Sequence, residues 1–178
     1  MESKEWLMLN YTLPKEPSRV RVSSWRKLKK SGSVSIGQSM WILPISQENN
    51  HIFDDISNEV LQNQGSAYIM KTVFINESNE NIIEFFNIAR NDEYRELLEK
   101  CQDFFAEIEK ETRKKNYSFA EIEENEEEFN KMTAWYEKIA TRDFFNASLK
   151  EKSSKELEKC KQLLEDFVNK TYEINIDN

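Results

Sequence analysis

Residues 6–44 read WLMLNYTLPKEPSRVRVSSWRKLKKSGSVSIGQSMWILP, and this stretch decides the fold. Its first nine residues are nearly all apolar or aromatic and end on a proline, which predicts a buried strand. A helix should follow, with Ser18 as its N-cap and Gly32 as its stop. Apolar residues then alternate along 34–43 on either side of Gly37, which predicts a hairpin of two short strands.

One more helix and one more strand complete the pattern. Apolar residues spaced three and four apart predict a helix over 47–64, stopped by Gly65. Residues 67–75 predict a final strand. The resulting βαββαβ order over residues 1–76 is that of the ferredoxin-like arrangement, a four-stranded antiparallel sheet with two helices on one face.

Beyond residue 76 the apolar period is helical throughout. The first helix is predicted at about 80–114. Two capping boxes mark the starts of the next two helices, namely Ser118 with Glu121 and Ser153 with Glu156. We therefore expect an α+β protein in which a ferredoxin-like domain at 1–76 is followed by a bundle of three long helices at 77–178, packed with it.

The net charge of −8 is distributed unevenly along the chain. Residues 1–76 carry a formal charge of +2, and residues 77–178 carry −10. No apolar run approaches the roughly 20 residues needed to span a bilayer, and the acidic N-terminus does not resemble a signal peptide. We expect a cytoplasmic protein that does not enter a membrane.

Few residues in the chain suggest catalysis or metal binding. Cys101 and Cys160 fall at apolar positions of predicted helices and are interpreted as buried small hydrophobes. His51 is the single histidine, so a zinc site is not expected. No nucleophile–base pair or glycine-rich phosphate loop stands out, and we predict no enzymatic activity and no cofactor.

The predicted first helix concentrates positive charge in an acidic protein. Its candidate binding residues are Arg19, Arg21, Arg26, Lys27, Lys29 and Lys30. These cations suit DNA phosphates, and they equally suit a tetrahedral oxyanion such as chromate, helped by free N–H groups at the helix N-terminus near Ser18. The plainer alternative is a solvated helix whose cations pair with the acidic helical half.

Four further residues have a structural or ligand-positioning interpretation. Trp25 and Trp41 are expected in the core, with Trp25 on an apolar helix face shared with Val22 and Leu28. Arg142 and Asp143 are expected to form a structural ion pair at a helix end, the alternative being that they position a ligand.

A resemblance to a known family adds a function to this interpretation. Its residues are Trp6 to Pro14, Pro17, Ser18, Arg21, Trp25, Arg26, Leu28, Lys29, Gly32 and Trp41 to Pro44, with weaker matches at Arg90, Glu93, Tyr94 and Arg142 to Phe145. Together they resemble the N-terminal domain of the ChrB-type chromate resistance regulators. The resemblance implies a regulator that senses chromate or a related stress and controls transcription.

The first domain is also similar to the ferredoxin-like domain of phenylacetate-type repressors and to small CRISPR-associated nuclease-like subunits. The latter carry an acidic residue at the end of the first strand. Here that stretch is Asn10-Tyr11-Thr12, which argues against a metal-dependent nuclease. A different class of function also fits, a protein-interaction module that dimerises through its acidic helices. We expect a homodimer in either case, since the DNA interpretation needs two basic helices presented together.

Overall fold

The computed structural model describes residues 4–75 and 78–176. Their elements are, in chain order, β1 (Trp6–Thr12), α1 (Ser18–Lys30), β2 (Val34–Gly37), β3 (Met40–Pro44), α2 (Gln47–Gln62), β4 (Ser66–Thr72), α3 (Asn79–Lys114), α4 (Phe119–Thr141) and α5 (Lys150–Ile176). The mixed α+β class is confirmed. The five helices and four strands agree with the predicted order, and most of their ends lie within three residues of the predicted positions.

The chain divides into two compact units. The first unit comprises the chain up to Ala89 together with Arg142–Phe145, and the second comprises Arg90–Thr141 together with the chain from Asn146 onward. Helix α3 therefore contributes residues to both units. The predicted boundary between residues 76 and 77 lies outside the described residues, and the predicted packing of the helices with the first domain stays a prediction.

The first unit is built on a four-stranded antiparallel sheet with the strand order β2-β3-β1-β4. Strand β1 lies between two neighbours, and Leu7 and Leu9 on one side of it and Trp6 and Met8 on the other are all buried. Its nearly continuous apolar sequence is the pattern expected of a strand covered on both faces. The predicted central strand is confirmed.

Helix α1 begins and faces the core differently from the prediction. Its N-cap is Pro17 and not Ser18, and proline has no side-chain group that could cap the helix. The buried face is formed by Val20, Ser24 and Leu28, which lie four residues apart. The small side chain of Ser24 allows the helix to pack closely against the core. Gly32 follows the helix at φ +81°, the left-handed conformation that glycine adopts most readily, which confirms it as the stop.

An aromatic cluster closes the end of the sheet near Trp6. The Trp6 ring stacks on Phe86 at 5.6 Å between ring centroids, and Phe86 meets Phe145 at 5.3 Å. Phe144 lies edge-on to Phe86 at 6.1 Å. The short segment Arg142–Phe145 therefore belongs to the core of the first unit, although α4 before it and α5 after it belong to the second.

The second unit has a core drawn from three helices. Its buried apolar residues include Tyr94, Leu97, Cys101, Phe104 and Ile108 of α3, Ile122, Met132 and Ile139 of α4, and Leu157, Cys160, Leu164 and Phe167 of α5. The predicted cap at Ser118 is confirmed, since its hydroxyl accepts a hydrogen bond from the Glu121 N–H at 3.3 Å.

The predicted cap at Ser153 is wrong. Helix α5 begins earlier, at Lys150, and Ser153 lies buried inside its first turn. Its hydroxyl donates to the Leu149 carbonyl at 2.9 Å, a bond to the preceding turn that a serine within a helix can make.

Candidate functional site

The six cations predicted as binding residues are all exposed on α1. At 3.6 residues per turn, Arg19, Arg26 and Lys30 fall along one stripe of the helix because they lie seven and four residues apart. The structure thus brings three cations together on one stripe. They spread over several turns of the helix and do not converge on one point.

A second stripe on α1 combines cations with an exposed aromatic ring. Trp25 is 48% exposed, so its predicted place in the core is wrong, as is that of Val22 at 43%. Arg21 and Lys29 lie one turn before and one turn after Trp25 on the same stripe. A half-exposed tryptophan between two cations offers a flat surface for a planar group beside two positive charges. Trp41, by contrast, is 6% exposed and lies in the core as predicted.

One cation of the set is engaged within the first unit. The Lys27 ammonium lies 2.7 Å from Glu59 Oε2 on α2, and the Ser23 hydroxyl donates to Glu59 Oε1 at 3.1 Å. Within the described parts of the chain, the other five have no carboxylate within 4.0 Å. The predicted pairing of the cations with the acidic helical half is therefore not seen in the described residues, and Glu59 was not identified from the sequence.

The N-terminus of α1 is not an open anion site. The Ser18 N–H donates to the Glu16 side chain at 3.1 Å, and the Val20 N–H donates to the Pro17 carbonyl at 3.3 Å. A carboxylate already lies where an oxyanion would use the helix dipole. We therefore expect the N–H groups near Ser18 to contribute less to anion binding than the sequence predicted.

A small cavity of about 300 Å³ lies between α1 and α2. It is lined by Lys27, Lys30, Ser31, Ile52, Asp55 and Ile56. The two lysines and the serine are donors that an oxyanion needs, but the Asp55 carboxylate would repel a dianion, and Ile52 and Ile56 supply no polar group. The cavity is therefore a poor match to a small doubly charged anion.

Arg142 lies beside Gly32, the glycine that follows the C-terminal end of α1. A Cβ atom placed on Gly32 would come within 2.7 Å of the Arg142 Cβ and 3.1 Å of the Phe144 ring. Arg142 is half-buried and Asp143 is buried. The segment therefore packs against the chain at Gly32, where α1 has just ended. No sequence signal pointed to this close approach, because a return of the chain to the first unit leaves no local pattern.

The two cysteines are buried side by side in the second unit. Cys160 Sγ lies 4.0 Å from the Cys101 carbonyl oxygen. The hydrogen bond between the two thiols raises the pKa of Cys160, and burial raises it further. The same hydrogen bond lowers the pKa of Cys101. Both are free thiols within the core, in agreement with their interpretation as buried small hydrophobes.

Over 4–75 and 78–176, no group of three or more histidine, cysteine or acidic residues is arranged to hold a metal ion. In the same part of the chain, none of the helices has the length and apolar character required to cross a membrane.

Fold and site together describe an α+β protein whose sheet-containing unit displays a basic, tryptophan-bearing helix. A family model described as "Protein ChrB, N-terminal" matches residues 21–178, and the chain belongs to this family. The match begins within α1, so β1 and the Trp6-to-Pro14 block lie before it. No curated protein and no solved structure matches the chain.

Proposed function

We propose that this chain is a non-enzymatic transcriptional regulator of chromate resistance that acts in the cytoplasm and binds DNA through the exposed surface of α1. Membership of the ChrB family suggests the role in chromate resistance. The strand order β2-β3-β1-β4 within a βαββαβ sequence supports a ferredoxin-like domain as the carrier of this helix, with a bundle of three helices after it.

The observation that carries the DNA proposal is the distribution of charge on α1. Cations spread along two stripes of a helix match a row of phosphates, whereas a single tetrahedral anion needs donors that converge. Half-exposed Trp25 adds a surface on which a base or sugar can pack. In this proposal, chromate or a related oxyanion is the signal to which the DNA complex responds.

Fluorescence anisotropy with a labelled duplex from the region upstream of the chain's own coding sequence tests the proposal. The wild-type chain should bind at low salt, and its affinity should fall as salt rises. The double change Arg26→Ala and Lys30→Ala should weaken binding and reduce the slope of log affinity against log salt by about 2, one for each phosphate that is no longer neutralised.

A matched control removes two lysines from the second unit. Lys131→Ala with Lys155→Ala changes the net charge by the same amount, and both lysines are exposed and paired within their own helices. This control should leave the salt dependence unchanged. Absence of binding to any duplex at low salt, or an equal weakening in both double variants, would overturn the proposal.

A direct oxyanion site on α1 is the competing proposal, and it is supported by the cationic surface alone. Titration with chromate and with sulfate, followed by tryptophan emission and corrected with free tryptophan for light absorbed by chromate, distinguishes the two ligands. Quenching by chromate only, abolished in Arg21→Ala, would place the oxyanion beside Trp25. Chromate that changes DNA affinity without such quenching would place the sensor elsewhere in the chain.

A further inference from the structure

The two edges of the sheet differ in how well they are protected. Edge strands are ordinarily short, bulged or charged, because unpaired backbone groups invite another strand. Strand β2 follows this rule, with four residues and an irregularity between Ser35 and Gly37. Strand β4 does not follow it, since all seven of its residues pair with β1 in an unbroken register and Lys71 is its single charge.

The backbone groups at the free edge of β4 can be assigned from the register. The Tyr11 N–H donates to the Ser39 carbonyl on the β3 side of β1 at 3.1 Å. Because these groups alternate along a strand, Met8 and Asn10 direct theirs toward β4. Their partners there are Met70 and Tyr68. The residues between and beside these partners therefore direct N–H and C=O groups to the free edge, namely Ala67, Ile69 and Lys71.

The side chains of β4 are complementary to a second β4 strand. On the face that Trp6 and Met8 share with β4, Tyr68 is 63% exposed and Met70 is 40% exposed. In an antiparallel pair centred on Ile69, Tyr68 of each copy lies opposite Met70 of the other, an aromatic–thioether contact. Lys71 lies opposite Ala67, so like charges do not face each other. This register uses all seven residues and about six new backbone hydrogen bonds, two for each directly opposed outward pair.

We propose that β4 is the homodimer interface, joining the sheets of two copies through an antiparallel β4–β4 pair centred on Ile69. The occupant is a second copy because the strand is its own complement in hydrogen bonding, side-chain size and charge, as a two-fold interface requires. The two-fold axis that relates the two strands is perpendicular to the sheet. Both copies therefore present their α1 and α2 helices on the same face of the joined sheet. The proposal goes beyond DNA binding and does not depend on it.

Light scattering over a range of protein concentrations, with paired charge variants, tests the interface. The wild-type chain should have the mass of two copies. Tyr68→Lys with Met70→Lys places like charges opposite each other across the axis and should weaken the dimer at least about ten-fold at low salt. Tyr68→Lys with Met70→Glu places opposite charges across the axis and should restore the dimer. This rescue is specific to the register centred on Ile69.

The matched control is a pair of half-exposed aromatic residues in the second unit. Phe119 and Tyr172 are 48% and 46% exposed and lie 5.2 Å apart, and lysines at both should leave the dimer intact. Far-ultraviolet circular dichroism checks that each variant folds. Should the lysine pair on β4 prevent folding, Ala67→Pro removes an outward N–H at the sheet edge, where proline is tolerated, and should give a folded single copy.

Three results would overturn the interface. They are a wild-type chain of single-copy mass at high concentration, a dimer that survives both the lysine pair and Ala67→Pro, and a dimer that dissociates on changing Phe119 and Tyr172 instead. Failure of the lysine–glutamate rescue would refute the register. Because none of these measurements includes DNA, they separate the failure of this interface from the failure of the proposed regulator function.

Discussion

Replacement of Gly32 by alanine should destabilise the first unit by about 3 kcal/mol. A non-glycine residue in the left-handed region costs about 1–2 kcal/mol, and Gly32 is held there at φ +81°. The new methyl group would also lie 2.7 Å from the Arg142 Cβ and 3.0 Å from the Arg142 carbonyl oxygen, and such overpacking costs about 1–3 kcal/mol. A less flexible unfolded chain offsets about 0.4–1 kcal/mol of this.

Gly37→Ala provides the matched comparison within the same hairpin region. Its Cβ would meet only the terminal methyl of Met40, at 3.0 Å, and that flexible side chain can move aside. We expect this variant to remain within about 1 kcal/mol of the wild type. Urea unfolding followed by circular dichroism, with the midpoint and slope fitted for each protein, measures both changes. A Gly32→Ala variant no less stable than Gly37→Ala would refute the argument from backbone conformation and crowding.

Two predictions concern the second unit. The pKa of Glu111 is lowered by a hydrogen bond from Asn116 and by the Lys114 ammonium, so the stability it contributes is present above its ordinary value of 4.5 and is lost as the pH falls through its lower folded value. Glu111→Gln should therefore flatten the acid side of a plot of stability against pH, while the exposed Glu123→Gln control should not; equal profiles would contradict this. For the cysteines, burial of both thiols should make alkylation by iodoacetamide at least about 100-fold slower in the native protein than in urea, and comparable rates would show that the pair is accessible.

The strands and the ends of most helices were predictable because their signals are local. A run of apolar residues ending at Pro14 and a glycine at position 32 fix where the chain turns, whatever packs against them. The predicted cap of α5 was wrong because a local signal was present without the structure that it usually marks. Ser153 with Glu156 has the spacing of a capping box, but the serine is fully buried within the helix, and its partner is the Leu149 carbonyl of the preceding turn.

The candidate site was predicted residue by residue but not in its arrangement. The positive charge of α1 is visible in the sequence, yet the exposure of Trp25 depends on which side of the helix packs against the sheet. The buried side includes Ser24, whose small side chain permits close packing but gives no hydrophobic signal in the sequence. The pairing of Lys27 with Glu59 joins residues 32 positions apart, and such non-local contacts leave no periodic trace.

Because Arg142–Phe145 belongs to the first unit, the core of that unit depends on a segment that lies far along the chain. A fragment ending at Ala89 would lack Phe144 and Phe145, and the ring of Phe86, now 2% exposed, would have water in place of two aromatic neighbours. Residues up to Ala89 therefore do not by themselves contain the complete core of the first unit. A rearrangement that moved them without residues 142–145 would leave the core of the first unit open beside Phe86.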